Sequence, residues 1–204
     1  EEGLCHTHIG YLYRLTGDPQ RAKIHQDLAL ELALQTNDKT LLAQVYANRA
    51  LNESAAGNLS SAIGTCLEAI RLAEECGNTV QKTVFLGNLG NIYRESGQTQ
   101  QAIQTLEEAL QLAQTTGDKI SQSAHLGNLG SVHQEQHNHE KALAYYTRSI
   151  ALAEEAGDRP TLAVFLGNIG GIHQKEGRHS QAISYFERAI SLSIDIGRTA
   201  TASL

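Results

Sequence analysis

Residues 83–118, TVFLGNLGNIYRESGQTQQAIQTLEEALQLAQTTGD, recur along the chain at a fixed shift of forty residues. Leu86-Gly87-Asn88-Leu89-Gly90 becomes Leu126-Gly127-Asn128-Leu129-Gly130 and then Leu166-Gly167-Asn168-Ile169-Gly170. A period of this size marks a repeat array, in which each copy buries its apolar face against the next and no single round core forms. Five copies follow one another, at about 3–37, 38–77, 78–117, 118–157 and 158–197, and the whole of 1–204 reads as one solenoid.

Each copy reads as two helices, so the chain is expected to be all-α. In the third, Asn78 is placed as the N-cap of a first helix that runs to about Ser96. Gly97 ends that helix in the left-handed conformation that glycine reaches without steric cost. A second helix follows from about Thr99 to Thr116, and Asp118 caps the next copy. The same punctuation recurs at Gly17, Gly57 and Gly177, at Gly77, Gly117, Gly157 and Gly197, and in the caps Asp38 and Asp158. Pro160 and Pro19 fall in first helical turns, where a missing N–H costs little.

Small residues form columns at the repeat period: Gly10, Ala50, Gly90, Gly130, Gly170; then Ala22, Ala62, Ala102, Ala142, Ala182; then Ala29, Ala69, Ala109, Ser149, Ala189. Glycine within a helix costs roughly 0.5–1 kcal/mol relative to alanine, so close approach of the two helices must offset it. Large residues fill the surrounding space: Leu89, Leu129 and Ile169, then Leu106, Tyr146 and Phe186, then Leu110, Ile150 and Ile190. Gly90→Leu is therefore expected to overpack the interface.

These columns resemble the tetratricopeptide repeat, whose spacing is intact in Leu89-Gly90-x-x-Tyr93, Gly97, Ala102, Leu106 and Ala109. The resemblance covers all five copies. Its forty-residue period is longer than the usual 34 of the family and, with the reiterated Leu-Gly-Asn, is similar to the LGN/Pins adaptor class and to the long arrays of bacterial regulatory proteins. Departures are visible. His133 and His173 replace Tyr93, His137 replaces the turn glycine, Arg49 occupies the leucine column with Leu51 two residues on, and Gln26 replaces an apolar residue.

The resemblance implies an α-solenoid of helix-turn-helix units wound as a right-handed superhelix, with first helices lining a concave groove that holds a peptide or helix from a partner protein. On those helices lie Asn48, Asn88, Asn128 and Asn168, with Asn91 and Ser131 one turn on, then Arg14, Arg94, Gln134 and Gln174, and Lys175 beside them. A primary amide offers donors and an acceptor together, so a ladder of them can clamp a ligand backbone while flanking residues choose its sequence. The small column Thr7, Ala47, Gly87, Gly127, Gly167 would let that backbone come close. The competing reading is that the asparagines satisfy buried backbone groups between copies. Where family members hold the cations that grip an acidic C-terminal carboxylate, this chain has Val84, Gly87, Ala124 and Gly127, which disfavours a chaperone co-factor; Arg14, Arg94 and Lys175 still allow an acidic side chain on the ligand.

Other functions find less support. His133 and His137 are four apart on a helix, a spacing that can hold a metal, with His139 beyond, and Cys5, His6 and His8 cluster, but neither group has a metal-site signature, and no metal or cofactor is expected. No nucleophile–base pair or phosphate loop is present, so the chain is read as no enzyme. A net charge of −6 argues against nucleic acid and anionic membrane. No apolar run approaches the roughly 20 residues of a spanning helix. Cys5, Cys66 and Cys76 are an odd set without framework spacing, which suggests a reducing, cytoplasmic setting. Glu1 aligns with Leu41 and residues 199–204 with the start of another first helix, so both ends read as cuts through a longer array. The rival function is accordingly structural: self-association through open solenoid ends, or a regulatory arm of a larger multidomain signalling protein.

Overall fold

The structure, a computed structural model, describes residues 2–202. Ten helices and no strand are found among them: α1 Glu2–Leu15, α2 Pro19–Gln35, α3 Lys39–Ala55, α4 Leu59–Glu75, α5 Thr79–Glu95, α6 Thr99–Thr116, α7 Lys119–Glu135, α8 His139–Ala156, α9 Arg159–Lys175 and α10 His179–Ala202. They form the expected helical-hairpin solenoid fold, and the chain divides into two compact units, residues 1–105 and 106–204.

The punctuation acts as the sequence implies. Asp18, Asp38, Asn78, Asp118, Asn138 and Asp158 each accept a hydrogen bond from the backbone N–H three residues on, satisfying a donor that the first turn leaves open. Left-handed turns close the helices at Gly17, Gly57, Gly77, Gly97, Gly117, Gly157 and Gly177, and at two residues that carry a Cβ, Asn37 (φ 51°) and His137 (φ 58°). Gly197 departs from this pattern: α10 continues through it to Ala202. Arg198 stands where the other copies have Asp38, Asn78, Asp118 or Asp158, so no acceptor is available there to cap a new helix. Residues 199–202 therefore extend α10 and do not begin a new first helix; Glu1, Ser203 and Leu204 lie outside the described residues.

In the first unit, α1 packs on α2, α3 on α4, and the two hairpins meet through α2 and α3. Ala29, Ala33, Leu41 and Val45 form the core at that junction. First helices also touch in succession, α1 on α3 and α3 on α5, whereas α2 and α4 make no contact among the described residues. The unit is thus closed on its first-helix side and open on the other. In the second unit α7 pairs with α8 and α9 with α10, and α7 also touches α9.

The alanine columns are buried, with Ala22, Ala62, Ala102 and Ala142 at 0% exposure. Ser149 replaces alanine in the third column and meets Ser123 of α7: each hydroxyl donates to the other's carbonyl, at 2.8 and 2.7 Å, so two buried polar groups satisfy one another. Glycine in the first column accommodates a ring as well as a small residue. A Cβ on Gly130 would lie 2.7 Å from the Tyr146 ring, and one on Gly170 would lie 2.9 Å from that of Phe186. Ile190, expected in the core, is 58% exposed. Its counterpart Ile150 packs on Leu162 and Leu166 of the next hairpin, and no helix follows α10 among the described residues.

Candidate functional site

A helix repeats its face every three to four residues, so Val84 and Val164 share a face with Asn88 and Asn168. Both valines are solvent-exposed, as are Val80 and Ile120 near the starts of α5 and α7. On α5 and α9 the first helix therefore presents an apolar spot and, one turn later, an amide.

Asn48, Asn88, Asn91 and Asn128 are half-buried, and their side chains make no hydrogen bond among the described residues. Their donors and acceptors remain available, so for these four the competing role of satisfying backbone groups between copies finds no bond to support it. Asn168 differs. Its Nδ2 donates to the Tyr146 hydroxyl at 3.3 Å. That hydroxyl donates to Gln134 Oε1 at 2.7 Å and lies 3.1 Å from Ser131 Oγ. Three sequence candidates of the second unit, Ser131, Gln134 and Asn168, are thus gathered around one phenol. Tyr146 reads in the sequence only as a core residue, and its ring is indeed buried; the periodic pattern carries no signal for where the hydroxyl ends.

Arg94 sits at the end of α5, with its guanidinium 3.8 Å from Glu95, which accepts a hydrogen bond from Ser54 of α3. Gln174 and Lys175 are exposed at the end of α9. Arg14 stacks over the Tyr11 ring at 5.0 Å and lines a cavity between the first two hairpins, to which Asn48, Asn88, Asn91, Asn128 and Asn168 do not contribute.

The small column plays a different part from the one expected. A Cβ on Gly127 would fall inside the Phe165 ring, so this glycine is a notch that seats the next first helix and not a face left open to ligand. Thr7, Ala47 and Gly87 are likewise buried. Gly167 alone in this column is half-buried, with nothing near its Cβ position.

The histidines diverge. His133 is buried and stacks on Tyr145 at 5.4 Å; burial first, and Lys141 second, hold its imidazole below the usual range. His137 occupies the turn, and His139 pairs with Glu176 at 3.3 Å. His6 and His25 approach Nδ1 to Nδ1 at 2.8 Å, with Cys5 exposed nearby in sequence. No group of three or more metal-ligating residues is found among the described residues. Burial pushes the Cys66 thiol up to about 12, the behaviour of a core residue. Among the described residues no helix is long and apolar enough to cross a membrane.

A tetratricopeptide repeat model matches residues 81–155 and 121–195, and a second matches 5–36. The model for anaphase-promoting complex subunit 5 matches 23–86. No curated protein matches the chain. Among solved structures it is similar to a Rap protein complexed with competence and sporulation factor, with a TM-score of 0.84 and 15% identity over 95% of this chain and 54% of that one. It is similar to aspartyl phosphate phosphatase F from Bacillus subtilis, with a TM-score of 0.81 and 18% identity over 96% of this chain and 52% of that one. The putative kinesin light chain of Podosopora anserina, with nearly identical TPR-like repeats, gives a TM-score of 0.67 and 15% identity over 95% of this chain and 96% of that one. The chain spans about half the length of the Rap protein and the phosphatase. At such identities the likeness is one of fold.

Proposed function

Because the chain belongs to the tetratricopeptide repeat family, we propose that it is a protein-interaction scaffold that grips a partner peptide or helix along its first helices. One observation carries this reading: the half-buried, unbonded amides of Asn48 and Asn88 in the first unit, with an exposed valine one turn before Asn88, and the amide of Asn128 at the same place of its copy in the second unit. Such amides meet the N–H and C=O of any backbone, and the valine offers apolar contact to a ligand side chain. Arg94 and Lys175 would favour an acidic residue on the ligand. The chain would act by binding and not by catalysis, in the cytoplasm. That a similar fold is known complexed with competence and sporulation factor agrees with a protein or peptide partner.

The test begins with peptides selected against the purified chain from a random library. Combined Asn88→Ala, Asn128→Ala and Asn168→Ala should weaken the selected peptides about tenfold or more while circular dichroism stays unchanged. Undiminished binding by the folded triple variant would refute the assignment.

A second reading has its own observation. Ile9 and Leu12 occupy the columns of Leu89 and Ile92, which are buried at 3% and 1%, yet on α1 they are 36% and 58% exposed, with Leu4 and Leu15 beside them. An apolar face of this kind favours self-association or docking within a larger multidomain protein. Leu12→Lys should then shift a concentration-dependent oligomer towards monomer in light scattering.

A further inference from the structure

Between the first and second hairpins lies a cavity of about 750 Å³, within the range of roughly 300–1,000 Å³ typical of small-molecule sites. It exists because the repeat pattern fails there in several columns at once. Arg49 stands in the column of Leu89, Leu129 and Ile169, and Asn52 in that of Ile92, Val132 and Ile172, all six of which are buried at 3% or less. Glu53 stands where the later copies have Tyr93, His133 and His173, and Gln26 where they have Cys66, Leu106 and Tyr146. Each departure forfeits apolar burial, and all four residues line the same space. A loss so concentrated calls for a function at the site.

The polar groups there are spent on one another only in part. Glu53 is engaged on both oxygens: its Oε1 accepts from Arg49 Nε at 3.0 Å and its Oε2 from the Thr65 hydroxyl at 2.8 Å. That leaves Arg14 and Lys23 facing Asp27, one positive charge in excess, and Lys23 makes no ion pair among the described residues. Asn52 Oδ1 is buried without a partner, so the wall also offers an acceptor to a donor on a bound molecule. Asn58, also on the wall, makes no side-chain hydrogen bond to its own helix, unlike the caps at Asp18, Asp38, Asn78, Asp118, Asn138 and Asp158. Three cations, Arg14, Lys23 and Arg49, thus face two carboxylates, Asp27 and Glu53, while Ala22, Leu30 and Val45 supply an apolar wall.

We propose that this cavity binds a small organic anion: a carboxylate or phosphate group held by Arg14, Lys23 and the free amino groups of Arg49, on an apolar body lying against Leu30 and Val45. Asn88, Asn128 and Asn168 do not line it, so this site and the peptide reading stand or fall separately.

The probes are phenyl phosphate and 3-phenylpropionate, each compared with its neutral counterpart, phenol or 3-phenylpropanol, by calorimetry and thermal melting of the whole chain. One variant restores the repeat pattern with Gln26→Leu, Arg49→Leu, Asn52→Ile and Glu53→Tyr; a second, Arg14→Ala with Lys23→Ala, leaves the cavity open. At least one anionic probe should bind about tenfold more tightly than its neutral counterpart. The restored variant should melt higher and bind neither anion, and the double alanine variant should lose about tenfold in affinity. Preference between the two anions decides phosphate against carboxylate. The proposal is overturned if neither anion binds the unmodified chain by about 10 mM, or if binding is equal in the double alanine variant.

Discussion

His125 occupies the column of Phe85 and Phe165, buried at 4% exposure, and neither ring nitrogen has a hydrogen-bond partner among the described residues. Burial drives its pKa from 6.5 down to about 4, with Asp118 opposing the shift. An unfolded chain therefore takes up a proton between those values that the folded chain refuses, so stability is fully present above pH 6.5 and is lost as pH falls towards 4. The loss is on the order of 3 kcal/mol. His133 and His173 shift in the same direction, also through burial. His125→Phe should flatten the stability profile across this window in urea titrations at pH 5 and 7; an unchanged slope would assign the acid sensitivity elsewhere. Two glycines give a second residue-scale contrast. Gly130→Ala would press a methyl against the Tyr146 ring and should cost about 1–3 kcal/mol. Gly167→Ala meets nothing within 4 Å and should stabilise α9 by about 0.5–1 kcal/mol in the same denaturation assay. Both glycines recur at the repeat period, so the sequence alone does not separate them. What differs is the ring opposite, which comes from another helix.

Helix boundaries were the most legible feature of this chain, because a cap is a contact between a side chain and its own first turn. Asp38, Asn78, Asp118 and Asp158 could be placed from sequence for that reason, and Asp118→Ala should cost about 1 kcal/mol in thermal unfolding. His137 holds a left-handed turn with a Cβ, a conformation that glycine adopts freely. His137→Gly should therefore stabilise the α7–α8 hairpin by about 0.5–1 kcal/mol, seen as slower amide exchange in both helices. Gly197 shows the limit of such local signals: a glycine stops a helix only where the following residues can start another. The cavity was half legible. Arg49 and Gln26 stand out as breaks in single columns, but that Asn52 and Glu53 break adjacent columns on the same wall emerges only once α2 and α3 are packed.

Every helix contact among the described residues within each unit joins elements no more than two apart in sequence. Stability then adds up hairpin by hairpin, and the weakest junction opens first. The junction of α2 with α3 carries the cavity and its charged wall, so amides of α1 and α2 should exchange faster than those of α3 and α4 under native conditions; equal protection would contradict the local scheme. How the chain divides into two compact units was not legible in the sequence, since the repeat continues unbroken across residue 105. The identity of a ligand is illegible for a related reason: periodicity encodes how copies meet one another, and ligand chemistry resides in the positions that vary. Gly127 and Phe165 make that grammar explicit as socket and plug. Gly167 holds the corresponding place on α9, where nothing among the described residues lies within 4 Å of its Cβ position. A copy grafted onto this array would repeat that fit with a planar aromatic at the corresponding place.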